Sequence, residues 1–591
     1  MKGVKSLLFY DFEVFKEDWL VVIMDMNEKK EHVIINNTSD LIDIFQKNQN
    51  DIWVGFNNVR YDQYIMKAVL LGFDPKKVND YIIIKDLPGW KFSTLFNRPE
   101  VQFINYDVML NGDRGLKTFE GFMGNNIKES SVPFDINRKL TDAEINETVK
   151  YCRHDVQQTV EVFLKREAET GVFQAHMGLV KLACQNSALD LTLLSKTKAQ
   201  LSAIILDAAR IEHDDEFDIT FPDTMQINKY TDVVKWYQNK DNHCYVRHIP
   251  GKKTPEKVQL KLMVAGVPHQ FGWGGVHGAI EKYHSKGYFI NMDVASLYPS
   301  LMIRYNLGSR NMRNPKKYEE IYHKRLQYKR EKNPLQAPLK LVLNSTYGVM
   351  KDKNNSLYDP RQANQVCVYG QLLLLDLIER LESYAEIIQS NTDGVLIRMP
   401  DGKNPDKFFS KIDDIAFEWE QRTGLTLEFD EYKEIFQKDV NNYVIIDAEG
   451  HYKSKGAYVK KLSALDYDLP IVNTALINYM VHNIPIETTV NSCKDLKEFQ
   501  LVSKITSKYS HILHGSKIVK EKCIRMFAST NTSDAGVQKV SIRTGKPAKM
   551  PNSPEHCFIF NDDVNGIETP PNLDRQWYIE KAKKRLKGFG V

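Results

Sequence analysis

The sequence predicts a multidomain protein that combines α/β and α+β architecture. The chain has 591 residues, and a single hydrophobic core rarely grows beyond a few hundred. Over residues 1–170 strands alternate with helices, which indicates an α/β domain. Further along, helices are combined with an antiparallel hairpin at residues 386–399, where Asn-Thr-Asp-Gly occupies the bend.

Composition excludes several classes of protein. Hydrophobic residues make up 42% and charged residues 26% of a chain with a net charge of +4, which is ordinary globular composition. This balance excludes a polybasic protein but not nucleic-acid binding, which depends on where the charges lie. Apolar runs are too short for a membrane span. The seven cysteines contain no C-x-x-C pair, which favours reduced thiols in a cytosol.

The first domain presents a cluster of acidic residues. Asp11 and Glu13 end the first predicted strand and, being two apart, point to one face of it. Asp62 opens the helix after the second strand, and Tyr151 and Asp155 are four apart on one helix. Four acids of this kind could hold two metal ions for hydrolysis by an activated water. The predicted elements are strands 5–13 and 52–56, helix 61–70 closed by Gly72, and helix 141–168 opened by Thr141 and Glu144.

A second acidic pair lies in the middle of the chain. Asp293 ends the apolar strand 288–293, and Asp393 lies at the bend of the hairpin. Two carboxylates on adjacent elements can hold a pair of Mg²⁺ ions, which prefer oxygen ligands. Such a pair holds the attacking and leaving oxygens of a phosphoryl displacement.

Two predicted helices between these acids carry basic residues. In the second helix Lys340, Asn344 and Tyr347 share one face, because they are spaced by four and three residues. In the helix before it, over residues 315–332, Arg325 and Lys329 are four apart. Cations with an amide and an aromatic ring suit a triphosphate and a base.

Taken in order, these motifs resemble those of the family B DNA polymerases. Residues 293–300, DVASLYPS, resemble motif A, D-x-x-S-L-Y-P-S. Residues 340–348, KLVLNSTYG, resemble motif B, K-x-x-x-N-S-x-Y-G. Residues 391–394, NTDG, resemble motif C, D-T-D-S, with Asn391 in place of its first Asp. Because Asp393 is retained, we expect polymerase activity to be retained.

The resemblance implies a role for each matching residue. Asp293 and Asp393 would hold two Mg²⁺ ions, for which Mn²⁺ could substitute, with the Val294 carbonyl as a further ligand. Tyr298 would be the steric gate that excludes a ribose 2′-hydroxyl, and Tyr347 would pack on the nascent base pair. The remaining residues would bind the triphosphate: Arg325, Lys329, Lys340 and Asn344.

The first acidic cluster resembles the 3′→5′ proofreading exonuclease of the same family, which has a ribonuclease-H-like fold. This site would again hold two metal ions, and their ligands would be Asp11, Glu13, Asp62 and Asp155. Tyr151 would orient the attacking water, and Asn58 and Tyr61 would contact the single-stranded 3′ end.

The resemblance also implies a domain plan. The exonuclease would occupy residues 1–170, and residues 171–285 would form a linking region and the start of the palm. The palm would comprise 286–312 and 356–464, a two-helix fingers hairpin 313–355, and the thumb and C-terminal region 465–591. Within the last part, we expect helices early, then an irregular surface segment at 528–572 and a final basic helix.

Spacing refines the expected activity. Asp293 lies 47 residues before Lys340, which lies 53 before Asp393. Protein-primed members carry insertions in both intervals, so we expect ordinary primer-template extension with weak strand displacement. The compact plan is most like phage or mobile-element polymerases, which would work in the host cytoplasm. The expected partners are primer-template DNA and dNTPs, and a helicase, a single-strand-binding protein or a clamp is a further candidate. We expect a monomer without membrane attachment.

Three alternatives stay open. One is a protein-primed DNA polymerase. Another is an exonuclease whose polymerase half is inactive, suggested by Asn391. The third is a non-enzymatic DNA-binding scaffold, which would not need both acidic clusters.

Overall fold

The structure is a computed structural model that describes residues 6–91, 101–185, 187–252 and 254–591. Residue 5, the first of the predicted N-terminal strand, lies outside them. The described helices are Thr38–Lys47, Asp62–Leu70, Pro75–Asn79, Leu116–Met123, Asp142–Thr170, Val172–Cys184, Lys198–Ile205, Thr231–Gln238, Leu297–Arg304, Lys316–Arg330, Gln336–Val349, Pro360–Leu381, Pro405–Thr423, Pro470–His482, Ile486–Ser492 and Arg575–Leu586. Shorter helical turns are Asp80–Ile84, Gly89–Lys91, Leu191–Ser195, Lys240–Asn242, Leu496–Phe499 and Lys587–Phe589.

The N-terminal part is built on a five-stranded sheet with the strand order β3-β2-β1-β4-β5. Strand β1 pairs antiparallel with β2 and parallel with β4, which in turn pairs parallel with β5. Both strands predicted from the sequence, β1 and β4, are confirmed. The strands are β1 Leu7–Val14, β2 Trp19–Asp25, β3 Lys30–Ile35, β4 Ile52–Gly55 and β5 Asn105–Asp107.

Two helices predicted for this part are also confirmed. The helix Asp62–Leu70 is followed by Gly72, whose φ of +62° is the left-handed conformation that glycine tolerates. The helix Asp142–Thr170 begins with a capping box in which Thr141 and Glu144 each accept from the other's backbone. This long helix packs across β1 and β2.

The middle of the chain folds around a nine-stranded sheet with the order β16-β15-β14-β11-β13-β12-β10-β9-β8. The predicted hairpin is confirmed as the antiparallel pair β12 and β13, and β13 lies against β11. The strands are β8 Gln259–Val264, β9 Val267–Gly272, β10 His277–Ala279, β11 Tyr283–Val294, β12 Glu386–Ser390, β13 Gly394–Arg398, β14 Leu427–Asp439, β15 Asn442–Ile446 and β16 Tyr452–Lys455, with the short pair β6 Val246–Arg247 and β7 Glu256–Lys257 before them.

The two predicted basic helices form a hairpin. The helices Lys316–Arg330 and Gln336–Val349 pack against each other, and the second also contacts Val172–Cys184 and Lys198–Ile205. Gly178 allows this contact, because a Cβ there would lie 2.3 Å from Pro338 Cγ. The helix hairpin therefore packs against the two helices that follow the N-terminal part, Val172–Cys184 and Lys198–Ile205.

The C-terminal part has the expected early helices, Pro470–His482 and Ile486–Ser492, and the expected final basic helix, Arg575–Leu586, but it differs from expectation between them. The segment 528–572 is not an irregular surface segment: it contributes three strands, and Val537, Cys557 and Val564 are fully buried. These strands lack a strong period-two pattern; β21 and β23 pair with the earlier strands β18 and β20, and β22 pairs with β21. The strands of this part are β17 Leu501–Lys504, β18 Tyr509–His514, β19 Lys517–Val519, β20 Cys523–Ala528, β21 Val537–Ser541, β22 Pro547–Lys549 and β23 Cys557–Ile559.

The buried apolar residues form several clusters: the largest runs through the N-terminal and middle parts, and another lies mostly in the C-terminal part and includes Phe436 and Val444 of the large sheet. The protein is thus a mixed α/β multidomain molecule. Within the described ranges, helices long and apolar enough to cross a membrane are absent.

Candidate active sites

The central acidic pair lies where three strands of the large sheet end. Asp293 pairs with Gly394 across β11 and β13, and the Val294 amide donates to the Asp393 carbonyl at 2.7 Å. The two carboxylates therefore belong to chain segments that are neighbours in the sheet. The fold brings Asp293 and Asp393 together across 100 residues of sequence.

The surroundings of Asp293 suit a cation. Burial raises the pKa of Asp293 to about 6, and the nearby Asp393 and Asp430 carboxylates act in the same direction. Its Oδ2 accepts from the Asn291 side chain at 2.7 Å, whereas its Oδ1 is buried without a described hydrogen-bond partner. Because an unpaired buried carboxylate oxygen is costly, this atom fits a metal ligand.

Asn391 forms part of the turn rather than the acidic pair. Its side-chain oxygen accepts from the Asp393 amide at 3.1 Å and from the Gly394 amide at 2.7 Å. Gly394 leaves room for the acid opposite, since a Cβ there would lie 1.9 Å from Asp293 Oδ1. The departures from motif C at these two positions thus shape the turn that presents Asp393.

Next to the acids is a cavity of about 230 Å³. Tyr298 and Tyr347 line it with their ring centroids 4.2 Å apart. The Tyr347 hydroxyl is 2.6 Å from Cys367 Sγ, and this contact fixes the position of the Tyr347 ring. The other lining residues are Ser296, Leu297, Pro299, Leu343, Asn344, Thr392 and Asp393.

None of the three predicted triphosphate-binding cations is among the lining residues of this cavity. Arg325 is partly buried, and its Nη1 donates to Ser296 Oγ at 3.3 Å, which links the helix hairpin to the cavity rim. Lys329 and Lys340 are exposed on the two helices and are not among the cavity's lining residues. Their role in triphosphate binding stays a prediction.

Two further residues join this site that the motifs did not indicate. Asn291, which holds Asp293, is two residues earlier on the same face of β11, so the period of a strand could have indicated it. Asp430, opposite Asn291 on β14, pairs with Lys453 at 2.8 Å. Its position depends on strand register, which the sequence does not provide.

The N-terminal acids also form one cluster. Asp11 and Glu13 lie on one face of β1, and Asp62 Oδ1 accepts from the Phe12 amide between them at 3.2 Å. Asp155 approaches from the helix that crosses this strand. Ligand atoms of Asp11, Glu13 and Cys152 all lie within 4.8 Å of one another.

Burial is the main influence on the acids of this cluster, and repulsion between their carboxylates adds to it. Burial raises the pKa of Asp11 well above its usual value, and the carboxylates of Asp62, Glu13 and Asp155 raise it further. Burial likewise raises the pKa of Asp62 to about 7. A group of buried acids with raised pKa values is the electrostatic environment that a divalent cation would relieve.

Sequence reasoning missed Lys117, the cation of this cluster. Its ammonium ion lies 3.0 Å from Glu120 and pairs with Asp155, and it lies 4.6 Å from the centre of the Tyr151 ring. Lys117 and Asp155 come from different helices, and no spacing in the sequence relates them. The lysine holds the Asp155 carboxylate and the tyrosine ring together.

The two predicted DNA-contacting residues have different surroundings. Asn58 is completely buried, and its amide donates to Asn105 Oδ1 at 2.8 Å, so its side chain has no surface open to DNA in this conformation. Tyr61 is partly buried, and its hydroxyl donates to Asn79 at 2.7 Å. Burial and nearby acids raise the pKa values of the Tyr61 and Tyr151 hydroxyls, so both stay neutral.

Comparison with known proteins supports the interpretation of the motifs. The chain is 26% identical over 200 residues to DNA polymerase 1 of Sulfurisphaera ohwakuensis, a match that covers 33% of this chain and 21% of that protein. For DNA polymerase 1 of Aeropyrum pernix the identity is 26% over 217 residues, 30% and 22% of the two chains. For that of Saccharolobus solfataricus it is 24% over 306 residues, 43% and 33%.

These matches span between about a fifth and a third of each relative's length. No protein-family model matches the chain. A solved structure of the family B DNA polymerase from Pyrobaculum calidifontis aligns over 99% of this chain and 78% of its own, with 13% identity and a TM-score of 0.41. In its ordered motifs the chain resembles the family B DNA polymerases, and in these sequence matches it is similar to DNA polymerases.

Proposed function

We propose that the protein is a template-directed DNA polymerase that adds dNTPs to a primer 3′ end and carries a 3′→5′ proofreading exonuclease. One observation carries the polymerase proposal. Asp293 and Asp393 lie on adjacent strand ends beside a cavity lined by Tyr298, Asn344 and Tyr347. Carboxylates, an amide and two aromatic rings around one cavity suit a metal-bound triphosphate and a base.

In this proposal the two acids and the Val294 carbonyl would hold two Mg²⁺ ions, for which Mn²⁺ could substitute. When bound, the ions neutralise charge on the transferring phosphoryl group. The chain's own residues orient the nucleotide. The Tyr298 and Tyr347 rings form one wall of the cavity, where they can exclude a 2′-hydroxyl and pack on the new base pair. Arg325, Lys329 and Lys340 attract the triphosphate from the helix hairpin.

The N-terminal cluster is proposed to hydrolyse the 3′-terminal nucleotide. Asp11, Glu13, Asp62 and Asp155 would hold two metal ions, whose role is to activate water. Tyr151 is neutral and lies beside Asp155 and Glu13, so its hydroxyl can orient the water by a hydrogen bond. Lys117 keeps Asp155 in place.

The domain plan given by the motifs is part of the proposal. The five-stranded sheet, with three antiparallel strands and two parallel ones, supports a ribonuclease-H-like exonuclease at residues 1–170. The large sheet and helix hairpin support a palm and fingers, and residues 465–591 a thumb and C-terminal region.

The test is an assay of primer extension and 3′-end degradation on labelled DNA. We expect Asp393→Asn to abolish extension and leave degradation intact, and Asp11→Ala to do the opposite. The matched control is Asp439→Asn, which changes an acid that pairs with Lys438 away from the cavity lining. Intact extension by Asp393→Asn would overturn the polymerase assignment.

An exonuclease with an inactive polymerase half is the second candidate, because Asn391 replaces an acid. The turn geometry argues against it, since the Asn391 oxygen holds the Asp393 and Gly394 amides. The same assay separates the two, because the second candidate predicts degradation without any extension.

A further inference from the structure

The helix Leu116–Met123 connects the exonuclease cluster with the C-terminal region. Its first turn carries Lys117, which pairs with Asp155. Along its length it contacts β17 and β20. Gly121 faces Val502, and a Cβ at this glycine would lie 2.6 Å from the valine Cγ1. The helix therefore lies between the cluster and a sheet that begins almost 400 residues later.

Arg525, on β20, binds the end of this helix. Its side chain is completely buried, and its described hydrogen bonds go to neutral oxygens rather than to a carboxylate. Nη2 donates to the Gly121 carbonyl at 3.0 Å and to the Asn125 carbonyl at 2.8 Å. Nη1 donates to the Asp562 carbonyl at 2.7 Å, and Nε to Gln500 Oε1 at 3.0 Å.

A helix C-terminus is a suitable partner for this buried cation. Its last carbonyls have no partner within the helix and carry partial negative charge. Burial without a paired acid lowers the pKa of Arg525 to about 10, so the guanidinium stays charged at neutral pH. The charge of Arg525 is thus stabilised largely by backbone dipoles, including those of the helix that carries Lys117.

Other C-terminal residues complete the contact. Gln500 Nε2 donates to the Phe122 carbonyl at 3.2 Å, and Lys497 Nζ donates to the Met123 carbonyl at 2.7 Å. The Val564 amide donates to the Gly124 carbonyl at 2.8 Å. The carbonyls from Gly121 to Asn125 therefore all accept from residues 497–564.

We propose that Arg525 is a positioning residue for the exonuclease site, acting from the C-terminal region through the helix Leu116–Met123 and Lys117. This inference rests on the proposed exonuclease function. A helix of eight residues is marginally stable alone, so its position depends on what holds its ends. If its C-terminal end is released, Lys117 no longer fixes Asp155 and Tyr151, while the polymerase site keeps its own contacts.

The experiment uses the full chain with Arg525→Met. We expect the kcat for degradation of a single-stranded, end-labelled oligonucleotide to fall about 10- to 100-fold, as small misplacements of reacting groups do. The KM for the oligonucleotide and the rate of primer extension should change by less than about twofold. The control is Arg575→Met, because Arg575 caps the Val490 carbonyl within the C-terminal region. It should leave both activities unchanged.

A double-mutant cycle tests whether Arg525 acts on the site through Lys117. If Arg525 acts through Lys117, adding Arg525→Met to Lys117→Met should lower the exonuclease kcat by less than about twofold. Fully additive losses would overturn the inference, as would an unchanged kcat in Arg525→Met. If Arg525→Met does not fold, Gln500→Ala must show the same selective loss of kcat, and its absence would also overturn the inference.

Failure of the proposed function gives a different result. A full chain that degrades no 3′ end, with or without Arg525, overturns the exonuclease assignment and this inference together. An active chain whose Arg525 variant is unaffected overturns this inference alone. Hydrogen exchange adds an independent measurement, because amides of residues 117–123 should exchange faster in Arg525→Met than in Arg575→Met.

Discussion

At the scale of single residues, the proposed polymerase site depends on neutral side chains that hold its acidic residues in place. The Asn391 oxygen holds the two amides that follow it, and the Asn291 amide holds one oxygen of Asp293. Such hydrogen bonds keep the carboxylates in place although both acids repel each other. Substitutions at these neutral residues therefore report on geometry without removing a ligand.

The Asn391 turn leads to a first prediction. Asn391→Asp keeps the oxygen acceptor and should retain primer extension within about threefold, whereas Asn391→Ala should lose about tenfold, because each lost hydrogen bond costs roughly 1 kcal/mol. Single-turnover incorporation of one dNTP measures this. Equal activity of the alanine variant and the unsubstituted chain would contradict the assigned role of the turn.

The Tyr298 and Tyr347 rings that line the cavity lead to a second prediction. Tyr298→Val opens the cavity beside Tyr347 and should lower discrimination between dNTPs and rNTPs by about tenfold or more. The ratio of kcat/KM for dCTP and CTP is the measurement. Tyr347→Phe is the comparison variant, because it keeps the ring beside Tyr298 and removes only the hydroxyl, which contacts Cys367 and Tyr298, and it should change sugar discrimination much less than Tyr298→Val does. Equal ratios in both variants would exclude Tyr298 as the gate.

At the scale of elements, β1 and the helix that crosses it concentrate buried negative charge. Asp11 and Glu13 share one face of the strand, and Asp62 lies against the strand backbone between them. Lys117 is the nearest compensating cation among the described contacts. The cluster is therefore less stable without bound cations than with them.

This charge leads to a pH-dependent prediction. The folded pKa of Asp62, about 7, exceeds its unfolded value, so the folded state binds the proton more tightly. Between the unfolded pKa of about 4 and the folded value, stability should decrease as pH rises. Metal-free protein should thus melt at a higher temperature at pH 6 than at pH 8.

Asp62→Asn is the matched variant, since it removes the charge and keeps the Oδ1 that accepts from Phe12. It should reduce the pH dependence of melting and raise the pH 8 midpoint by about 2 °C or more. Added Mg²⁺ should raise the midpoint of the unsubstituted chain more than that of the variant. Scanning calorimetry in chelator and in Mg²⁺ measures both, and an unchanged pH slope would contradict the prediction.

At the scale of the whole molecule, the two intervals between the motifs at Asp293, Lys340 and Asp393 are occupied by ordinary helices and strands. Residues 293–340 contain the helices Leu297–Arg304 and Lys316–Arg330 and the start of the next one. Residues 340–393 contain the remainder of that helix, Pro360–Leu381 and β12. Helix Pro360–Leu381 is almost entirely buried and belongs to the core.

These intervals support the expectation of weak strand displacement. Primer extension on a gapped template should stop or slow strongly at the downstream duplex without helper proteins. Gel analysis of products on gapped and open templates measures this, with the open template as the control. Kilobase-scale displacement, or extension that requires a priming protein, would favour the protein-primed alternative.

Much of the candidate chemistry could be predicted from the sequence because it depends on local spacing. Strand and helix periods determine that Asp11 shares a face with Glu13 and that Tyr347 shares one with Asn344. The capping box at Thr141 is equally local. Local rules failed for residues 528–572, where β21 and β23 pair with strands that lie 20 or more residues earlier in the sequence.

The sequence by itself thus determined the kinds and order of the motifs, and with them the resemblance to family B DNA polymerases. Tertiary structure alone decided that Lys117 pairs with Asp155, that Asp430 lies near Asp293, and that Arg525 binds the end of the helix Leu116–Met123. The physical reason is that burial, strand register and helix packing set these contacts. Each of these contacts joins chain segments that are far apart in the sequence and that no sequence pattern relates to each other.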